Sequence, residues 1–205
     1  MKNLKRVVLN SNLKKVGDSA FEGCVSLYSV EFPGLVNTIG SHCFDGCVRL
    51  QSVILPNWIT KIEPYTFYGC SSLRNIVVPK LVNTIGEYAF SSCQSLENIF
   101  IWRTVTTLGA NWLGAYYPNV TIHTLSGSKA YQYAAEKGIK YTLYTSTVAF
   151  GEVCDAQLEE DGEFVDICQD GHGEIEYLTV YDADCENDGY TIGVCEYCSE
   201  VLEEI

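Results

Sequence analysis

Three cysteines and a histidine in the C-terminal part have spacing that could hold a metal: His172, Cys185 after twelve intervening residues, Cys195 after nine and Cys198 after two. Three thiolates and one imidazole can complete a closed tetrahedral zinc site, with Cys195 and Cys198 as a C-x-x-C knuckle. The competing chemistry is disulfide formation in an oxidising exterior. An upstream echo bears on the choice. "DGEFVDIC" (161–168) aligns with "DGYTIGVC" (188–195), with Cys154 displaced upstream and Gly171 where a second C-x-x-C cysteine would stand. That half lacks four ligands, so Cys154 and Cys168 are read as a disulfide pair whose closed loop would stabilise a small domain. In the second half, an odd set of three Cys with a well-placed His favours zinc over disulfides. Calcium fits less well. "DADCENDG" (182–189) offers Asp184, Glu186 and Asp188 before Gly189, like the start of an EF-hand loop, but position twelve is Cys195 where a bidentate Glu is needed.

Nucleophilic catalysis finds little support. His42 stands beside Cys43, but Cys43 takes the position that Ala20 and Ala89 hold in equivalent segments, and it reads as a small buried residue. There is no phosphate-binding Walker loop and no G-x-S-x-G elbow. The expectation is a protein that is not an enzyme.

The elements that must position these groups follow from a repeat. "GLVNTIG" (34–40) returns as "KLVNTIG" (80–86), and "NWITKIE" (57–63) stands midway, so the period is 23 residues. Units begin at Leu4, Leu27, Leu50 and Leu73, and a fifth begins at Leu96 and loses register near its end. Repeats of this kind bury a continuous core only by stacking. Each opening, Leu-x-x-Val-x-Leu, alternates with period two and predicts a short strand with Val7, Val30, Val53, Ile76 and Ile99 on the core side. Pro33, Pro56 and Pro79 then end the ladder, since proline offers no N–H. Gly17, Gly40, Gly86 and Gly109 recur at a turn position where a positive φ is expected. Phe21, Phe44, Phe67 and Phe90 should stack as an internal spine on the far side of the coil. Cys24, Cys47, Cys70 and Cys93 recur at the same period and read as a buried, reduced ladder.

This pattern, L-x-x-V-x-L-P-x-x-V-x-x-I-G-x-x-A-F-x-G-C, resembles the BspA-like, or treponemal-type, leucine-rich repeat of bacterial surface and secreted proteins. The resemblance covers roughly residues 4–145. It implies a leucine-rich-repeat solenoid of α/β repeat class with a C-terminal capping helix. Ser128 would N-cap that helix from Lys129 to about Lys137, and Gly138 would end it. It also implies recognition or adhesion: a non-catalytic module binding a protein or glycan on a host or neighbouring cell. The tail set is similar to a small Cys/His unit that follows such repeats in gut Firmicutes surface proteins, with Ser199 where a Gly is usual. The one cofactor this would call for is a structural zinc.

Outward residues of successive strands should form columns on the concave face. One column reads Val8, Glu31, Ile54, Val77, Phe100 and His123; the next reads Asn10, Pro33, Pro56, Pro79, Trp102 and Thr124. Glu31, Ile54, Val77, Phe100, Trp102 and His123 are the candidate partner-binding residues, with Ile54, Val77, Phe100 and Trp102 as an exposed apolar stripe. A different reading makes the repeats a spacer and the tail a zinc- or disulfide-stabilised stalk or assembly unit.

Charge divides the chain. Its thirteen Lys and Arg all precede residue 141, against eight Asp and Glu there, while eighteen Asp and Glu and no cation follow. The two parts are therefore +5 and −18, which predicts two domains, 1–145 and an acidic, mainly β module at 146–205. "EFVDIC", "EIEYLTVY" and "YTIGVC" should be its strands. Such a tail repels nucleic acid and anionic membranes, and no run approaches the roughly 18 apolar residues of a membrane span. The resemblance implies an extracellular or cell-surface setting, and Leu4, already at the first patterned position of a repeat with nothing before it to cover the end, points to a fragment of a longer secreted protein.

Overall fold

The structure, a computed structural model, describes residues 3–115 and 119–144 and, beyond them, four strands. The chain divides into two compact units, Met1–Leu143 and Tyr144–Ile205. The first is a succession of coils in which each 23-residue repeat supplies up to two strands. In chain order these are β1 (Arg6–Val8), β2 (Lys15–Val16), β3 (Ser29–Glu31), β4 (Thr38–Ile39), β5 (Lys61–Ile62), β6 (Asn75–Val77), β7 (Thr84–Ile85), β8 (Asn98–Ile101), β9 (Thr107–Leu108) and β10 (Thr121–Leu125). Helix α1 (Lys129–Lys137) and β11 (Lys140–Tyr144) follow.

The pairings are parallel and follow the period: Val7 opposes Val30, Ile76 opposes Ile99, and Ile99 opposes Ile122. β1 pairs with β3, and β6, β8, β10 and β11 form a four-stranded sheet. The second strands make their own parallel ladders, β2 with β4, and β5 with β7 and β9. A backbone turn closes each coil between them. Leu13, Val36, Ile59, Val82 and Val105 donate to the carbonyls of Asn10, Pro33, Pro56, Pro79 and Trp102. Proline suits the acceptor place, because only its carbonyl is used.

Inside, Phe21, Phe44, Phe67 and Phe90 stack at 5.4 Å centroid spacing with nearly parallel planes. Trp112 closes the stack edge-on against Phe90 at 6.3 Å. The inward strand residues and the cysteine ladder fill the rest of the core. At its end Ser128 Oγ accepts from the Tyr131 N–H at 3.0 Å, and Gly138 adopts φ 66° and takes its N–H back to the last turn. Ala130 and Ala134 of α1 are buried in the same core, so the helix covers the end of the stack as expected.

Two expectations about the coils need correction. Gly17, Gly40, Gly86 and Gly109 are not at positive φ; the left-handed glycines of the coils are Gly23, Gly46, Gly69 and Gly114. Three of the former group are glycine because the next coil is too close for a side chain. A Cβ on Gly86 would lie 2.5 Å from Pro64 N, and one on Gly109 would lie 2.4 Å from Glu87 N. The other correction is Thr124. Strand β10 sets Thr124 opposite Ile101, not Trp102, because the period of 23 holds through this strand and brings Leu125, not Thr124, into the Trp102 column. Thr124 is therefore buried, its hydroxyl donating to the Ile101 carbonyl at 2.7 Å.

The second unit contains two antiparallel hairpins: β12 (Ala156–Leu158) with β13 (Phe164–Asp166), and β14 (Ile175–Val180) with β15 (Tyr190–Cys195). The last three strands fall in the three predicted segments. β12 carried no period-two signal strong enough to be foreseen.

Candidate functional site

The outward column of the first strands begins with the exposed Val8 and its register partner Glu31, which forms an ion pair with Arg6 across the β1–β3 ladder. Ile54 in the third coil is 56% exposed, and Val77 is half-buried. Further along, the expected exposed stripe does not exist. Phe100 is 1% exposed and Trp102 is 6% exposed. Phe100 lies between its register partners Val77 and His123 and stacks on the His123 ring at 4.3 Å. Trp102 has the Lys80 ammonium over its ring at 5.4 Å, a contact that couples cation and ring quadrupole. A wide aromatic ring in a ladder about 4.8 Å per step is covered from both sides by its neighbours.

Beside Phe100 runs a polar chain of which the sequence columns included only His123. Asn98 Nδ2 donates to Asn75 Oδ1 at 2.7 Å, and His123 Nε2 contacts Asn98 Oδ1 at 2.9 Å. Burial, with a smaller contribution from Lys140, lowers the His123 pKa to about 4. His123 is thus neutral at pH 7, with Nε2 as the hydrogen-bond donor to Asn98. Asn75, Asn98 and Thr121 occupy one column at period 23, so this signal was present in the aligned units.

A different apolar stripe is exposed. Leu35, Trp58 and Leu81 stand at the same place in three successive coils and are 51%, 62% and 48% exposed. Each directly precedes a buried residue of the closing turn, Val36, Ile59 or Val82. Aligning "GLV", "NWI" and "KLV" would have shown this stripe, because the alternation that buries the third residue turns the second outward.

On the opposite arm of the coils, Ser19, His42, Tyr65, Tyr88 and Asn111 all hold φ between 50° and 57°. Left-handed backbone costs an L-residue about 1–2 kcal/mol, and here stacking offsets part of it. His42 stacks on Tyr65 at 4.6 Å, Tyr65 on Tyr88 at 5.0 Å, and Asn111 donates to the Tyr88 hydroxyl at 3.1 Å. His42 also holds Asp45 at 2.9 Å. No glycine marks this column, so the sequence carries no sign of it.

Cys43 is fully buried and its thiol is pushed up to about 12, by burial first and then by Cys47. Enclosed in the core and held as the neutral thiol, Cys43 is not presented to solvent as a nucleophile for His42 to activate. Among the described residues no group of three or more His, Cys, Asp or Glu is gathered to hold a metal. His172, Cys185 and Cys198, and the pair Cys154 and Cys168, lie outside the described residues; Cys195 is described only in its backbone, as the last residue of β15.

The family profile described as BspA type leucine rich repeat region matches residues 1–115 in six copies. Among solved structures, the leucine rich repeat protein of T. pallidum is 35% identical with a TM-score of 0.55, over 58% of this chain and 57% of that one. A leucine rich cell surface protein of Faecalibacterium prausnitzii is 29% identical with a TM-score of 0.56, over 64% of this chain and 35% of that one. A leucine-rich repeat protein of Bacteroides ovatus is 25% identical with a TM-score of 0.52, over 69% and 43%. The chain thus spans about half or less of the length of these relatives. No curated protein matches it. No helix among the described residues is long and apolar enough to cross a membrane.

Proposed function

The chain belongs to the BspA-type leucine-rich repeat family, and from that premise we propose that it is a non-catalytic recognition module of a bacterial cell surface, anchoring a protein partner on the Leu35, Trp58 and Leu81 stripe. The observation that carries this reading is the high exposure of three large apolar side chains at one place in consecutive coils. Scattered exposed apolar residues are ordinary, but a contiguous row is the usual mark of an interaction surface. Trp58 is the natural anchor, since tryptophan is over-represented among residues that dominate binding. Ile54, four residues before it in the same coil, is exposed as well.

The test is surface plasmon resonance of the full chain against immobilised extracellular-matrix proteins and mucin, with whole bacterial cells in a parallel pull-down. Trp58→Ala should weaken the binding seen with the unaltered chain by about tenfold or more, equivalent to over 1.4 kcal/mol. Phe100→Ala, which changes a buried residue, serves as the contrast. Binding that is absent throughout, or indifferent to Trp58, favours the spacer reading, in which the repeats only set a distance.

A further inference from the structure

The opposite shoulder of the first strands has different chemistry from the apolar stripe. There a groove of about 460 Å³ is lined by Lys5, Ser26, Tyr28, Arg49, Gln51 and Ser72, within the ~300–1,000 Å³ that ligand sites usually occupy. Its floor is built by the coil stacking. The Tyr28 N–H donates to the Lys5 carbonyl, Gln51 N–H to Tyr28, and Arg74 N–H to Gln51, so these four residues form one column. Ser26, Arg49 and Ser72 form the second column at the same period.

These seven positions carry three cations and no carboxylate. The run ends at Glu97, whose N–H donates to the Arg74 carbonyl of the preceding coil. Among the described residues, Lys5, Arg49 and Arg74 make no ion pair, whereas the nearby Arg6 is taken by Glu31. A cationic groove whose charges are not consumed internally is available to an outside anion. Lys5 and Arg74 stand three coils apart, roughly 14 Å at about 4.8 Å per step. A single phosphate cannot reach both ends, but an extended polyanion can.

The rest of the lining decides which polyanion. The backbone groups of the first column bond to one another, so a peptide cannot add as a further strand, and the residues lining the groove include no aliphatic side chain to seat an apolar anchor. What remains are two serine hydroxyls, the Gln51 amide and the Tyr28 side chain, 43% exposed. We infer that this groove binds an acidic polysaccharide, a sugar chain carrying carboxylate or sulfate groups. Arg49 offers a planar fork to each anionic group, and Lys5 and Arg74 extend the charge along the chain. Ser26, Ser72 and Gln51 match sugar hydroxyls, and the Tyr28 ring offers an apolar body with a polar tip to a pyranose face.

Fluorescence anisotropy of the full chain at low and physiological salt tests this with labelled dextran sulfate and polygalacturonate, neutral dextran, and poly-glutamate. The two acidic polysaccharides should bind and neutral dextran should not; whichever of the two binds more tightly identifies sulfate or carboxylate as the better group. The double variant Lys5→Ala with Arg49→Ala should lose about tenfold or more in affinity, and Tyr28→Ala should lose affinity without altering the salt slope. Lys14→Ala with Lys61→Ala removes the same charge from exposed sites elsewhere and should change binding less than about twofold. All these side chains are exposed, and circular dichroism checks that the coils remain folded. Equal losses from both double variants would reduce the groove to diffuse electrostatics and overturn the inference. So would poly-glutamate binding as tightly as the polysaccharides, or neither acidic polysaccharide binding.

Discussion

Cys47, Cys70 and Cys93 sit at one slot of successive coils, where their Sγ atoms donate to the carbonyls of Phe21, Phe44 and Phe67 at 3.1 to 3.2 Å. Burial pushes Cys47 and Cys93 up to about 12 and Cys70 well above its ordinary value. A thiol at about 12 is roughly one part in ten thousand thiolate at pH 8, and the thiolate is the reactive form. Iodoacetamide at pH 8 should therefore leave these cysteines and Cys43 unlabelled in the native chain and label them once urea unfolds it, read by mass spectrometry. The same burial has a linkage consequence. A thiol whose folded pKa is raised contributes stability that is fully present below the unfolded value and is lost as pH climbs toward the folded one. The urea midpoint should accordingly fall between pH 9 and 12. His123 acts at the other end of the scale. Its folded pKa is lowered from 6.5 to about 4, so its contribution is present above 6.5 and lost as pH falls through 4. His123→Gln should flatten the decline of the urea midpoint across that window.

The coils meet most tightly where glycine recurs. A Cβ on Gly109 would lie 2.4 Å from Glu87 N and 2.6 Å from Gly86 C, and because both are backbone atoms a whole coil must move. Gly109→Ala should cost about 1–3 kcal/mol in urea unfolding, the usual range for overpacking. Gly17→Ala should be within about 0.5 kcal/mol of the unaltered chain, as for ordinary surface sites, since nothing lies within 4 Å of that position. Sequence reasoning found the glycine column but gave it the wrong cause, because tight turns and close coil contacts both demand glycine. Where a rule was local it worked: the Phe spine, the Ser128 cap and the Gly138 stop follow from period and capping chemistry alone. Alternation told which side Phe100 faces, but not that Val77 and His123 would cover it, which depends on ring size relative to coil spacing. The left-handed column of Ser19, His42, Tyr65, Tyr88 and Asn111 was beyond reach, because its conformation is imposed by stacking between coils and no residue type signals it. Thr124 was placed one residue out of the 23-residue register that β10 keeps, and a shift of one exchanges the inner and outer faces of a strand.

At the scale of the whole chain, the tail's chemistry depends on how its hairpin distributes the Cys/His set. β14 and β15 set Ile175 opposite Cys195. In the chain, His172 precedes that pair by three residues and Cys198 follows it by three. Cys185 belongs instead to the connection between Val180 and Tyr190, which joins the other end. Five steps along a strand at about 3.3 Å separate the two ends by roughly 16 Å, whereas zinc gathers its ligands at about 2.0–2.3 Å. Cys185 is five residue steps beyond Val180, and a fully extended chain of that length just spans the distance. Zinc in the tail would therefore depend on His172, Cys195 and Cys198 most directly, with Cys185 completing the set only by a full return of the connection. An intact native mass of non-reduced full chain, with and without chelator, should show one zinc that His172→Ala or Cys198→Ser removes. Cys185→Ser should weaken its retention less, leaving water in the fourth place. A metal-free mass, short by the hydrogens of two bridges, would make the tail a disulfide module. Cysteine would then serve opposite ends in one chain, oxidised in the acidic unit and held reduced in the coils by burial.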